Sequence, residues 1–283
     1  MTKYSALAVS TNYWKPQSDY VDKVVTAIED KIENGDYVVI SEKAVSTALG
    51  TMVDESHVKS SWSAMVIARF WMRSIWGYPL GILCGFGQRL QKRLRNYPLE
   101  SGSRHKQVAL QYAGFWQAFM FGSEGGIDGS NLPYAYVSLP LKNPDKLAQE
   151  IQTQIGLRLR KKVCVIIADT DKTYLFHNFF FTPRPHPLKG IHSLGATTTY
   201  MVGRILKLKK SSTPLSTAGC NLSASEALKI TNIADKARGP GSGATVWDMA
   251  ARFHVDVNEV SWEMLAAIKH KPIVIIRKTA KES

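Results

Sequence analysis

Lys162-Val163-Cys164-Val165-Ile166-Ile167-Ala168-Asp169-Thr170 decides the fold, read together with Gly125-Gly126-Ile127-Asp128-Gly129-Ser130-Asn131. Residues 163–168 form an unbroken apolar run rich in β-branched side chains, the pattern of a strand buried on both faces. The run stops at Asp169 and Thr170, a carboxylate and a hydroxyl at the mouth of a strand. Asp128 lies between Gly126 and Gly129, residues that tolerate positive φ and let a ligand approach the backbone closely. Two carboxylates held this way can share a hard cation such as Mg²⁺ or Mn²⁺, with phosphate oxygens completing the shell. Plainer readings exist for each motif alone: Asp-Thr after a strand is a common turn or helix cap, and the glycine-rich stretch suits a surface loop.

Working outward, residues 4–9, 37–41, 134–141 and 272–276 read as further strands. Residues 19–34 read as a helix capped by Asp19, with Val21, Val24, Val25, Ile28 and Ile32 at helical spacing. Helices are also expected over residues 143–157, starting at Asn143-Pro144-Asp145, and over 261–268. Residues 196–207 fit either a helix or a strand. Within residues 215–234, Ser223 and Glu226 have the spacing of a capping box. Residues 42–50 and 101–106 read as loops. The glycine loop at 239–243, ahead of residues 245–253, could cradle a phosphate at a helix start, but it lacks a Gly-Lys-Ser/Thr signature and reads first as a linker.

The stretches 65–76 and 78–86 are strongly apolar and aromatic. A span takes about 20 apolar residues, and Arg69, Arg73 and Pro79 interrupt this one, so a buried helical pair is expected and no transmembrane segment. Residues 88–96 continue as a basic helix with Arg89, Lys92 and Arg93 on one face; this is a solvated helix end by default, with an anionic surface as the other reading. Arg69-Phe70-Trp71-Met72-Arg73 mixes cations with aromatics, but its apolarity marks it as core, and nucleic acid is not an expected partner.

The 283 residues suffice for a substantial core, and 45% hydrophobic with 21% charged content excludes a disordered chain. A net charge of +13 attracts polyanions, although a generally basic surface accounts for it equally well. The basic residues concentrate at 89–95, 158–162 and 207–210. Cys84, Cys164 and Cys220 are odd in number and widely spaced, so no disulfide framework and a reducing, cytoplasmic setting are expected. The N-terminus lacks the apolar segment of a signal peptide. His177, His186 and His192 fit no standard zinc spacing.

Four pieces in order resemble the coenzyme F420:L-glutamate ligases, the F420 gamma-glutamyl ligases. They are the opening strand and loop; Glu33-Asn34-Gly35-Asp36-Tyr37-Val38-Val39-Ile40-Ser41-Glu42-Lys43-Ala44-Val45-Ser46; Gly126-Ile127-Asp128-Gly129-Ser130-Asn131; and Val165-Ile166-Ile167-Ala168-Asp169-Thr170. The resemblance implies one domain over residues 1–283, with a divergent apolar helical segment at 57–121 and a divergent C-terminal part at 183–283. It implies a mixed α/β (α+β), two-lobed fold that forms an intertwined homodimer. Asp128, Asp169 and Thr170 would hold a divalent metal, Mn²⁺ or Mg²⁺, with K⁺ a further candidate ion. Asn12, Tyr13, Trp14, Lys15, Glu42, Lys43 and Asn131 would face GTP. The implied chemistry is phosphorylation of a carboxylate by GTP, followed by attack of the L-glutamate amine on the acyl phosphate of the F420 precursor. The rival reading is a non-catalytic member that binds a nucleotide, a deazaflavin or a polyanion.

Departures from the family pattern are local. Thr47 and Leu49 stand where the family has a lysine and a glutamate, and Asp171-Lys172-Thr173 stands where an arginine is expected soon after Asp-Thr. The acidic, glycine-rich segment before the last strand is replaced by Met264-Leu265-Ala266-Ala267-Ile268-Lys269-His270-Lys271, with Glu263 the nearest carboxylate. Lys269, His270 and Lys271 are candidates to bind an anion directly.

Overall fold

The computed structural model describes residues 3–122, 124–239 and 245–279. Strand β5, Cys164–Phe176, is the axis of the main sheet. Its first half pairs in parallel with β2, Tyr37–Ser41, which runs antiparallel to β9, His270–Thr279; β9 pairs in turn with β1, Lys3–Thr11. On its other edge β5 pairs with β8, Lys209–Ala218, and its second half carries β6, Phe179–Thr182, which pairs with the short β7, His192–Ser193.

Residues alternate between the faces of a strand, and here both faces are covered. Val38, Ile40, Val165, Ile167, Ile273 and Ile275 pack under α1, Tyr20–Ile28, and α8, Pro144–Leu159. Tyr37, Val39, Cys164, Ile166, Val274 and Ile276 pack under α10, Ala224–Arg238. This is why residues 163–168 are apolar without alternation. Asp19 caps α1, and the expected box between Ser223 and Glu226 closes α10.

The second lobe is built from the apolar segment. Helix α3, Trp62–Val66, continues as a π-type helix over Ile67–Trp76 and is followed by α4, Pro79–Leu83, α5, Gln88–Arg95, α6, Leu99–Tyr112, and α7, Phe115–Ala118. Met72, Trp76, Val108, Met120 and Ile127 form its core, and α9, Ala196–Ile205, closes it. The indole N–H groups of Trp71 and Trp76 both donate to the Phe119 carbonyl, at 2.8 and 2.7 Å, so buried tryptophans keep their polar partner. A two-stranded antiparallel sheet of β3, Met52–Asp54, and β4, Tyr136–Ser138, lies at the Asp128 loop through an Asp128–Ser138 bridge. A small fourth cluster, including Met249, Val260 and Leu265, joins α11, Val246–Phe253, to α12, Trp262–Ala266. No helix among the described residues is long and apolar enough to cross a membrane.

Several expectations are corrected. Residues 42–48 are a helix, α2, Glu42–Ala48, not a loop, because its small and polar side chains are nearly all buried. Residues 101–106 lie inside α6; Gly102 is there because a Cβ would sit 2.2 Å from the Tyr97 ring. Residues 209–218, polar at their start, form β8. Cys164 and Cys220 are joined as a disulfide with Cα atoms 5.2 Å apart, against the expectation from cysteine count and spacing; strand and loop bring together residues 56 apart in sequence. The strand does not stop at Ala168: it bulges between Asp169 and Lys172 and resumes. The glycine-loop residues 240–243 lie outside the described residues.

Candidate functional site

The bulge in β5 and the Asp128 loop open on one cleft of about 1150 Å³ between the lobes. Asp128, Asp169, Thr170, Asn131, Lys43, Tyr13 and Trp14 all line it. Asn12 and Lys15 are exposed on the neighbouring loop and do not line it. Glu42 is buried behind the cleft wall.

The Asp128 loop is held by polar contacts. Asp128 Oδ1 accepts from the Ser130 amide at 2.7 Å, and its other oxygen pairs with Lys43 Nζ. Lys43 also donates to the Ser130 carbonyl and hydroxyl, at 2.9 and 2.8 Å. Asn131 takes a left-handed conformation, φ 58°, and its carbonyl accepts the Tyr13 hydroxyl. Burial, followed by the charge of Asp128, raises the Tyr13 hydroxyl above its ordinary range, so Tyr13 is a donor here.

Asp169 is held differently. Arg184, from the loop after β6, is buried with Nε 3.4 Å from Asp169 Oδ2, and neither of these two atoms completes a hydrogen bond. The rest of the guanidinium pairs with Glu42 and donates to the Gly125 carbonyl. Glu42 Oε1 also accepts from the Leu141 amide at 2.9 Å. Burial keeps the Glu42 carboxyl above the usual carboxylate range, opposed by Arg184 and reinforced by Asp169. The sequence offered no arginine just after Asp-Thr; Arg184 supplies a guanidinium beside Asp169 from farther along the chain. Its signal was Pro183-Arg184-Pro185, an arginine fixed between prolines.

Gly126 makes this approach fit. Its φ is 100°, and a Cβ there would overlap Arg184 Nη1. Gly126→Ala is therefore expected to destabilise the protein by about 1–3 kcal/mol, read as a lowered urea midpoint at unchanged slope; an unaltered midpoint would sink the argument.

At the far wall, Lys269, His270 and Lys271 line the cleft as a group. His270 packs against Tyr13 at 4.8 Å and Trp14 at 6.1 Å between ring centroids. Burial, with Arg238, Lys23 and Lys43 nearby, pushes its imidazole down to about 4 against a hydrogen bond with the Asn12 backbone. His270 is thus neutral at pH 7, which leaves the two lysines as the cations of that trio. Sequence reading also missed a buried ionic cluster at the helical end of the cleft, formed by Glu55, His105, Lys106 and Glu124.

Two carboxylates and a hydroxyl on one cleft are hard oxygen donors, and Asp169 Oδ2, ion-paired with Arg184 at 3.4 Å, completes no hydrogen bond. This donor chemistry fits a divalent cation. No group of three or more His, Cys, Asp or Glu residues suited to a metal occurs among the described residues, so such an ion would also draw on water or substrate oxygens.

Fold and cleft together define a mixed α/β protein with an oxygen-donor and lysine-lined site between two lobes. The family model for F420-0:Gamma-glutamyl ligase matches residues 8–180, and the chain belongs to that family. Over 289 aligned residues it is 34% identical to "Uncharacterized protein MJ1361" of Methanocaldococcus jannaschii, with 96% of each chain covered. The family supports a ligase role.

Proposed function

We propose that the protein is a GTP- and metal-dependent ligase that joins L-glutamate through an amide bond to a carboxylate acceptor, the F420 precursor being the first candidate. The observation that supports it most is that the Gly-Ile-Asp-Gly loop and the Asp-Thr bulge, well separated in sequence, open on the same cleft. An acceptor carboxylate oxygen attacks the γ-phosphorus of GTP and GDP leaves. The amine then attacks the acyl carbon, phosphate leaves, and the amine gives up a proton. A bound Mn²⁺ or Mg²⁺, held by Asp128, Asp169 and Thr170, would neutralise charge on phosphate oxygens. K⁺ is a further candidate ion.

Within this reading Lys43 offers a compact cation to a phosphate, Tyr13 and Trp14 wall the nucleotide side with Asn131, and Arg184 fixes Asp169. Glu42 acts from behind the wall through Arg184. Cytoplasmic placement and an intertwined homodimer belong to the same reading; sedimentation tests the second. The ion pair between Lys43 and Asp128 favours the alternative, a non-catalytic member that binds a nucleotide, deazaflavin or polyanion.

The test is phosphate release from GTP and from ATP with Mn²⁺ or Mg²⁺, with and without deazaflavin precursor plus L-glutamate. Release that needs both substrates and vanishes in Asp169→Ala is expected, and Mn²⁺ titrated calorimetrically should bind Asp128→Ala more weakly than wild type. A folded protein that binds metal but never turns over moves the assignment to the non-catalytic reading.

A further inference from the structure

A second concavity, about 340 Å³, lies between α5 and the start of α11. Its lining is Arg89, Lys92, Arg93, Asn96, Pro98 and Trp247. The three cations stand at positions i, i+3 and i+4 of one helix, so one face presents all of them. Trp247 forms the opposite wall, with the Arg93 guanidinium 5.2 Å from its ring centroid. Like charges repel along a helix face, and a solvated helix end would let these side chains spread. Here the wall made by Trp247 turns them into a lined pocket.

The neighbouring carboxylate does not neutralise the set. Asp248 comes within 3.7 Å of Arg93 and 4.0 Å of Arg89. Both contacts are to its Oδ1, while Oδ2 accepts the Thr245 hydroxyl at 2.8 Å beside the cap of α11. Lys92 has no side-chain hydrogen bond or ion pair among the described residues. Three cations against the single charge of one carboxylate leave an excess of positive charge facing an aromatic wall. Pro98 and Trp247 also line the main cleft, so the two spaces adjoin.

We propose that this pocket is an anion-binding site, distinct from the Asp128–Asp169 site, that takes a phosphate group or two neighbouring carboxylates. Arginine forks match both groups, and the ammonium of Lys92 supplies a third, point-like donor. The volume is at the lower end for ligand pockets and suits a group of that size. The anion is either free or the distal arm of a molecule seated in the main cleft, since the spaces share Trp247. This assignment stands whether or not the ligase reading does.

The probe is pyrophosphate, titrated calorimetrically into the full chain at two salt concentrations. The variants are Arg89→Gln/Lys92→Gln, both on exposed side chains, and Lys43→Gln in the main cleft. Thermal melts establish that each variant is folded. Loss of about tenfold or more in affinity in the double variant is expected, because each charged hydrogen bond is worth that order. The salt dependence should also become shallower, and Lys43→Gln should keep the binding event that the double variant loses. Wild-type affinity in the double variant, loss confined to Lys43→Gln, or no binding to the wild type would each overturn the site. With the site standing, displacement of pyrophosphate by GTP with Mn²⁺ marks an arm of the cleft ligand, whereas simultaneous binding marks a free anion.

Discussion

Arg184→Leu is expected to lower stability by about 3–5 kcal/mol, the cost of leaving a buried charge without its partner. Glu42 and Arg184 are both buried, and Asp169 Oδ2 shares the same guanidinium. The sign of the pH dependence follows from Glu42. Its folded carboxyl is held above the ordinary range by burial, so the folded state keeps a proton that the unfolded chain releases. Stability then falls as pH rises from the ordinary carboxylate range through the folded value. Without Arg184 the folded value moves higher still, and the variant's deficit should be larger at pH 9 than at pH 6. Adding Glu42→Leu to Arg184→Leu should restore part of the loss, because an apolar pair of similar volume replaces an unpaired carboxylate. Urea melts of the single and double variants at both pH values measure this. A deficit under about 1 kcal/mol in the single variant, within the range of an exposed ion pair, would show that Glu42 does not depend on Arg184.

What the sequence made legible follows a physical boundary. Residues 163–168 and 37–40 were readable because burial on both faces leaves only apolar residues there. Ser223 and Glu226 were readable because a capping box is a local bond pattern. The continuation of β5 was not: Asp169, Thr170, Asp171 and Lys172 carry no apolar signal. Neither was β8, whose early part is held by a buried hydroxyl chain. Thr173 and Thr182 lie 2.8 and 3.1 Å from the Thr213 hydroxyl, which donates to the Asp171 carbonyl at 2.7 Å. Such strands satisfy buried polar groups by long-range partners that no window of sequence contains. The Cys164–Cys220 pairing is invisible for the same reason.

In the site the division is similar. Asp128, Asp169 and Thr170 came from local motifs and Lys43, Tyr13, Trp14 and Asn131 from the family resemblance; one cleft receives these seven, whereas Asn12, Lys15 and Glu42, expected with them, do not line it. Arg184 came from a loop whose motif says only that it is rigid. His270 was legible as a residue but not as a neutral one, since its desolvation depends on Tyr13 and Trp14 packed across from it.

The contribution of the buried cluster at the helical end of the cleft should be greatest between about pH 4.5 and 6.5, bounded by two different groups. Lys106 is fully buried and donates to Glu124 Oε1 at 2.7 Å and to the Met120 carbonyl. His105 lies 2.6 Å from Glu55 and 3.4 Å from Glu124. Burial alone would raise Glu124, but Lys106 and His105 outweigh it and hold the carboxyl down to about 2. Burial alone would lower His105, but Glu55 and Glu124 lift it to about 10. The Glu124 contribution is therefore complete above the unfolded carboxylate range and is lost as pH falls toward 2. The His105 contribution is complete below the ordinary imidazole range and is lost as pH rises toward 10. The acid limb is on the order of 3 kcal/mol and the alkaline limb on the order of 5 kcal/mol, and the two cannot be summed because the Glu124–His105 contact enters both. Lys106→Met removes the strongest partner of Glu124 and should cost about 3–5 kcal/mol at pH 6. It should also lift the Glu124 carboxyl, so the acid limb of the stability profile begins at higher pH than in the wild type. His105→Gln should instead flatten the alkaline limb and leave a lysine-held acid limb in place. Guanidinium melts from pH 3 to 10 on the three proteins separate these effects. Parallel profiles for all three would mean that the cluster does not titrate with folding, and that the charges at this end of the cleft are held by some other contact.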